Sequence, residues 1–163
     1  MPLPQIKPES EEKPCWLTPE CERVQGDILH LAEALSVAAI AEFEELKPSF
    51  LNAIREFRGH LREHADDVER PGGVCECVAS NWPQLGNKVN QLCREHAGLE
   101  LRMAGLEQRL QYFDASDPTW AEAVRQSARH LAEQIARHQA TARTILNRTA
   151  ASETKPQGEE ARP

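Results

Sequence analysis

Apolar residues recur in steps of three and four along most of this chain, and the recurrence breaks at a few sites rich in proline, glycine and aspartate. Such spacing predicts amphipathic helices, and the breaks predict their ends. Thr18-Pro19-Glu20 reads as an N-cap, a first-turn proline and an acidic first turn. The helix it opens is predicted to reach about Lys47, with Val24, Ile28, Leu31, Leu35 and Leu46 on its apolar stripe and Val37, Ile40 and Phe43 widening the face. Pro48 interrupts the pattern and is expected to start a second helix that runs to about Arg70. Its stripe is Phe50, Ile54, Phe57, Leu61, His64 and Val68.

The stop Arg70-Pro71-Gly72-Gly73 precedes a short helical piece, VCECVASN, which ends before Trp82-Pro83. A third long helix then runs to about Phe113 on the stripe Leu85, Val89, Leu92, His96, Leu99, Met103, Leu106, Leu110. Asp114-Ala115-Ser116-Asp117-Pro118 repeats the sequence of stop, cap and proline. The fourth long helix continues to about Asn147 on Val124, Leu131, Ile135, His138, Ala142 and Ile145. Four long amphipathic helices with short connections predict an all-α, up-down-up-down four-helix bundle over residues 18–147. Residues 1–17 hold four of the eleven prolines and a run of charges, and 148–163 are polar, so both are expected to be disordered tails.

Composition agrees with a helical fold. Aromatic residues make up 5% of the chain and β-branched runs are missing. The net charge of −7 argues against a nucleic-acid surface, and the arginines at 125, 129, 137, 143 and 148 read as a solvated face. No positive start followed by an apolar run is visible, and the longest apolar segment is far too short to span a bilayer, so a cytoplasmic protein without a membrane partner is expected. Five cysteines without a secretory signal point to reduced thiols. Cys75 and Cys77 form C-x-C, whose side chains diverge on a helix, which is a weak redox or zinc signal.

The anomaly lies within the stripes, where three positions suited to leucine hold His64, His96 and His138. A single histidine on an apolar face is ordinarily a core residue satisfied by a neighbour. Several at one level are different, and helix rise tests whether they share one. With the first turn placed near residue 47, His30 lies ~26 Å before it and His64 ~24 Å after it. With the second between 114 and 117, His96 lies ~27 Å before it and His138 ~32 Å after it. Each long helix is thus predicted to bring one imidazole to a common layer. Buried imidazoles need either a satisfied polar network or a metal ion that takes one nitrogen from each ring. Oxygen donors stand close by in sequence: Glu100 four residues after His96, Asp67 three after His64 and Asp27 three before His30. His60 forms H-x-x-x-H with His64, and Cys93 is three residues before His96.

On the strings HLREHADDVE, LCREHAGLE and IARHQA, and on the order of helices and histidines, the chain resembles the hemerythrin-like cation-binding family over about residues 20 to 147. The resemblance implies a non-haem di-iron centre inside the bundle that binds dioxygen or senses oxygen or iron. It makes His30, His64, His96 and His138 the ligands of the four helices, with Glu100 and Asp67 as oxygen donors and His60 as a further candidate. The chain departs from the family pattern at three places. Val68 stands where a bridging glutamate is usual, Glu100 where a second histidine is usual, and Ala142 and Arg143 where an acidic residue is usual. Those departures leave a mononuclear site open, and zinc alongside iron. They also leave open a metal-free helical module that recruits protein partners. No nucleophile–base–orienter spacing and no phosphate-cradling glycine loop is present, so a non-enzymatic role is expected. His130 falls off the stripe and reads as surface.

Overall fold

A computed structural model describes residues 19–153 of the chain, with side chains from 22 to 151. The expected tails at 1–17 and 154–163 lie outside the described residues. Among the described residues the fold is all-α, with five α-helices: α1 (Pro19–Val37), α2 (Ile40–Glu69), α3 (Val74–Asn81), α4 (Gly86–Gln111) and α5 (Pro118–Glu153). A single 3₁₀ turn, Pro83–Leu85, joins α3 to α4. The four long helices contact one another in a ring, α1 on α2, α2 on α4, α4 on α5 and α5 on α1, and α3 packs on α2 and α4. No helix among the described residues is long and apolar enough to cross a membrane.

The first break differs from the expected one. α1 stops at Val37 and α2 starts at Ile40, so the helix runs straight through Pro48. Two contacts hold the corner at Ala38–Ala39. The Glu42 carboxylate accepts the Ala39 backbone N–H at 2.6 Å, and Arg125 Nε donates to the Ala38 carbonyl at 2.9 Å. Pro48 is exposed, where solvent can satisfy the carbonyl one turn earlier that its missing N–H leaves without a helical partner. Burial of Phe43 and Phe50 on either side of it holds the segment helical. Proline was therefore a false boundary. At the far end, α5 continues through residues 148–153, which were expected to belong to the tail.

The other breaks form where the turn residues stand. Gly72 takes φ +75°, a left-handed conformation that costs glycine little, and its N–H donates to Glu76 at 2.6 Å. Asp117 caps α5, its Oδ1 accepting the Thr119 backbone N–H at 2.9 Å ahead of Pro118.

The core falls into two apolar clusters. The larger joins α1, α2, α4 and α5 around Phe43, Phe50, Ile54, Leu61, Leu99, Met103, Leu131 and Ile135. The smaller joins α2, α3, α4 and α5 around Val68, Val78, Leu85, Val89, Leu92 and Ile145. On each of three helices the stripe passes from one cluster to the other through a single histidine. Leu61 gives way to His64 and then Val68; Leu99 to His96 and then Leu92; Ile135 to His138 and then Ala142. A thin polar slice crosses the core at that level.

Candidate metal centre

His64, His96 and His138 are 4%, 4% and 3% exposed. A leucine at each position would stabilise the fold by roughly 1.5–3 kcal/mol through burial alone, so the imidazoles forgo a substantial gain. Their ring centroids are 5.0 Å apart for His64–His96, 4.9 Å for His96–His138 and 6.4 Å for His64–His138. The rings meet edge to face, and one nitrogen from each lies within 4.8 Å of those of the other two. Ligand nitrogens on a tetrahedral ion with ~2.1 Å bonds are ~3.4 Å apart.

Two carboxylates orient two of the rings. Glu69, on the last turn of α2, lies 2.6 Å from His96 Nδ1. Glu95, buried on α4, lies 3.1 Å from His138 Nδ1 and accepts from Gln91 Nε2 at 2.9 Å through its other oxygen. An ionised carboxylate can only accept, so in both pairs Nδ1 is the donor and Nε2 is the nitrogen left to face a ligand. Nε2 of His96 and Nε2 of His138 are buried without a hydrogen-bond partner among the described residues. Two buried ring nitrogens are therefore left for a ligand.

Burial keeps His64 and His138 neutral. Burial lowers His64 from 6.5 to about 3, and the neighbouring His96, His138 and His60 deepen the shift. Burial likewise lowers His138 to about 3, with His96 adding to it. Neutral imidazole is the form that coordinates a metal.

The chain matches no family model, no curated protein and no solved structure. What the site can do rests on its own atoms.

Of the residues singled out from the sequence, His64, His96 and His138 come together and His30 does not. With the corner at Ala38–Ala39, His30 lies ~13 Å before the turn whereas His64 lies ~38 Å after it. His30 is exposed on α1, well below the layer. His60 is half-buried one turn before His64 and reaches the layer through its charge. Asp67 is exposed. Glu100 is bound elsewhere: Oε1 accepts from Arg58 Nε and Nη2 at 3.0 and 2.7 Å and from Arg62 Nη2 at 2.7 Å. Burial would raise its carboxyl, but the two arginines outweigh that and hold it below the ordinary carboxylate range. Its Oε2 is buried without a hydrogen-bond partner and borders the same cleft as His96. That cleft, about 230 Å³ between α2 and α4, is also lined by Glu69 and Cys93 and gives His96 an approach from outside.

Glu69 and Glu95 were not among the candidates, and the reason is geometric. Sequence proximity favours residues three or four away on the same helix, whereas both carboxylates reach a histidine on a different helix. Glu95 precedes His96 directly, and the ~100° step between adjacent helical residues turns it toward α5. Its signal was available as an acidic residue on the flank of a buried stripe.

Proposed function

We propose that this chain is a metal-binding helical domain that holds one divalent transition-metal ion on His64, His96 and His138. The observation that carries the proposal is the pair of buried Nε2 atoms on His96 and His138 without a hydrogen-bond partner, set close to the His64 ring and backed by Glu69 and Glu95. A carboxylate behind each ligating imidazole fixes its tautomer and raises its basicity, which is the usual environment of a metal-bound histidine. Three imidazoles suit iron or zinc. Iron is the ion that goes with the hemerythrin-like strings, and with it a role in binding or sensing dioxygen or iron.

In this reading the ring of α1, α2, α4 and α5 is an up-down-up-down bundle with α3 as an insertion. A contact set at one end supports it. Phe43 near the start of α2 packs edge-on against Phe113 after α4, and Arg125 near the start of α5 lies over Phe43 and reaches Ala38 after α1. A bound ion would supply Lewis acidity and an open coordination position, and this chain's residues would orient the imidazoles and exclude bulk water. With three imidazoles from three helices, and with Glu69 and Glu95 engaged by Nδ1 atoms, the site fits one ion better than two.

The edge-to-face packing of the three rings favours a second reading, in which the layer is a metal-free histidine cluster within an interaction module. Metal analysis of the purified full chain separates the two. The expected result is close to one iron or zinc per chain, together with a melting temperature that rises when Fe(II) or Zn(II) is added to chelator-treated protein. Replacing His138 with alanine should abolish both. Absence of bound metal, combined with an unchanged melting temperature on adding either ion, would overturn the metal reading in favour of the module.

A further inference from the structure

Cys75 on α3 and Cys93 on α4 are both free thiols, and their Sγ atoms lie 3.3 Å apart. A disulfide needs 2.03–2.05 Å, so closure requires about 1.3 Å of approach. The two sulfurs differ in access. Cys75 is buried in the smaller core cluster, whereas Cys93 is partly exposed and borders the cleft beside His96 and Glu69. Cys77, two residues on, is exposed and approached by the side chain of Asn81.

We propose that Cys75 and Cys93 are a redox-active dithiol that a low-molecular-weight disulfide entering the cleft converts to a disulfide joining α3 to α4. Cys93 attacks one sulfur of the incoming disulfide RSSR, an S–S bond forms to that sulfur and RS⁻ leaves. Cys75 then attacks Cys93 Sγ, the Cys75–Cys93 bond forms and the second RS⁻ leaves. The two thiol protons pass to the two leaving thiolates. One dithiol is thereby oxidised and one RSSR reduced to two RSH.

The order of attack follows from access, because only Cys93 meets the cleft. The reduced state is kept quiet by burial, which pushes the Cys75 thiol up to about 12, with the hydrogen bond to Cys93 adding to the rise. Exchange is therefore slow and selective for an oxidant that fits the cleft. The negative charge of Glu69 bears on both thiols, and Glu69 also holds His96. The dithiol and the histidine layer thus share one carboxylate, although the exchange itself needs no ion in the layer.

The test uses the full chain with Cys15, Cys21 and Cys77 replaced by serine and oxidised glutathione as the probe. Intact mass should fall by two hydrogens, peptide mapping should link Cys75 to Cys93, and dithiothreitol should reverse both. Adding Cys75→Ser should instead leave one glutathione on Cys93. Free thiols that persist in excess oxidised glutathione would overturn the proposal. So would glutathione retained on Cys93 while Cys75 is present, a result readable without any variant of the pair.

Discussion

Acidification from pH 7 to pH 5 in the presence of a chelator should destabilise this protein by several kcal/mol. His64 and His138 are neutral in the folded chain down to about pH 3, because burial lowers both from 6.5. Unfolded, they take up protons near pH 6.5. Between those values the unfolded chain binds more protons, so the stability the neutral rings permit is fully present above about pH 6.5. It falls as pH drops and levels off near 3. The slope is ~1.4 kcal/mol per pH unit per ring, so at pH 5 each ring has cost ~2 kcal/mol and the pair ~4 kcal/mol. Against a typical domain stability of 5–15 kcal/mol, ~4 kcal/mol is large. Carboxylates held low, such as Glu100 and Asp114, begin to lose their contribution near the ordinary carboxylate range, so they act mainly below about pH 5. Urea unfolding followed by helical circular dichroism at pH 7, 6 and 5 measures the effect. The double variant His64→Leu/His138→Leu should lose most of the dependence. Equal stability at pH 7 and 5, or the same slope in the double variant, would refute the claim that two buried neutral imidazoles dominate the acid response.

Two further perturbations separate the parts of the structure. Glu95→Gln removes the charge behind His138 while keeping the shape, and should weaken metal binding ~10–100-fold in a calorimetric titration; unchanged affinity would mean that His138 does not ligate. Gly73→Ala places a Cβ at 2.8–2.9 Å from the carbonyl oxygens of Arg70, Asp67 and Val68, so the α2–α3 corner must shift. A loss of ~1–3 kcal/mol in denaturant unfolding is expected, as for other overpacked sites.

The helix stripes were legible because burial acts on periodicity, and the three stripe histidines were legible for the same reason. The position of the first corner was not. Pro48 carries the usual local signal of a boundary, but burial of Phe43 and Phe50 on its two sides outweighs one missing backbone hydrogen bond. The true corner at Ala38–Ala39 is held by Glu42 and by Arg125, and Arg125 is 87 residues away in the chain. That error of about nine residues is what made His30 look level with the others. Glu69 and Glu95 escaped notice because their partners lie across helix interfaces, which only the packing specifies.

The Ala38–Ala39 corner also divides the chain by its tolerance of length changes. α1 carries none of the three imidazoles, so a residue gained or lost at that corner re-registers α1 against its neighbours and leaves the mutual phase of α2, α4 and α5 intact. An insertion within α4 between His96 and Tyr112 is another matter, because it swings the ring ~100° around the helix axis and moves it ~1.5 Å along it relative to the α4–α5 corner. A length change before Ile40 therefore costs the packing of α1 but spares the histidine layer, while the stretch joining His96 to His138 must keep its count.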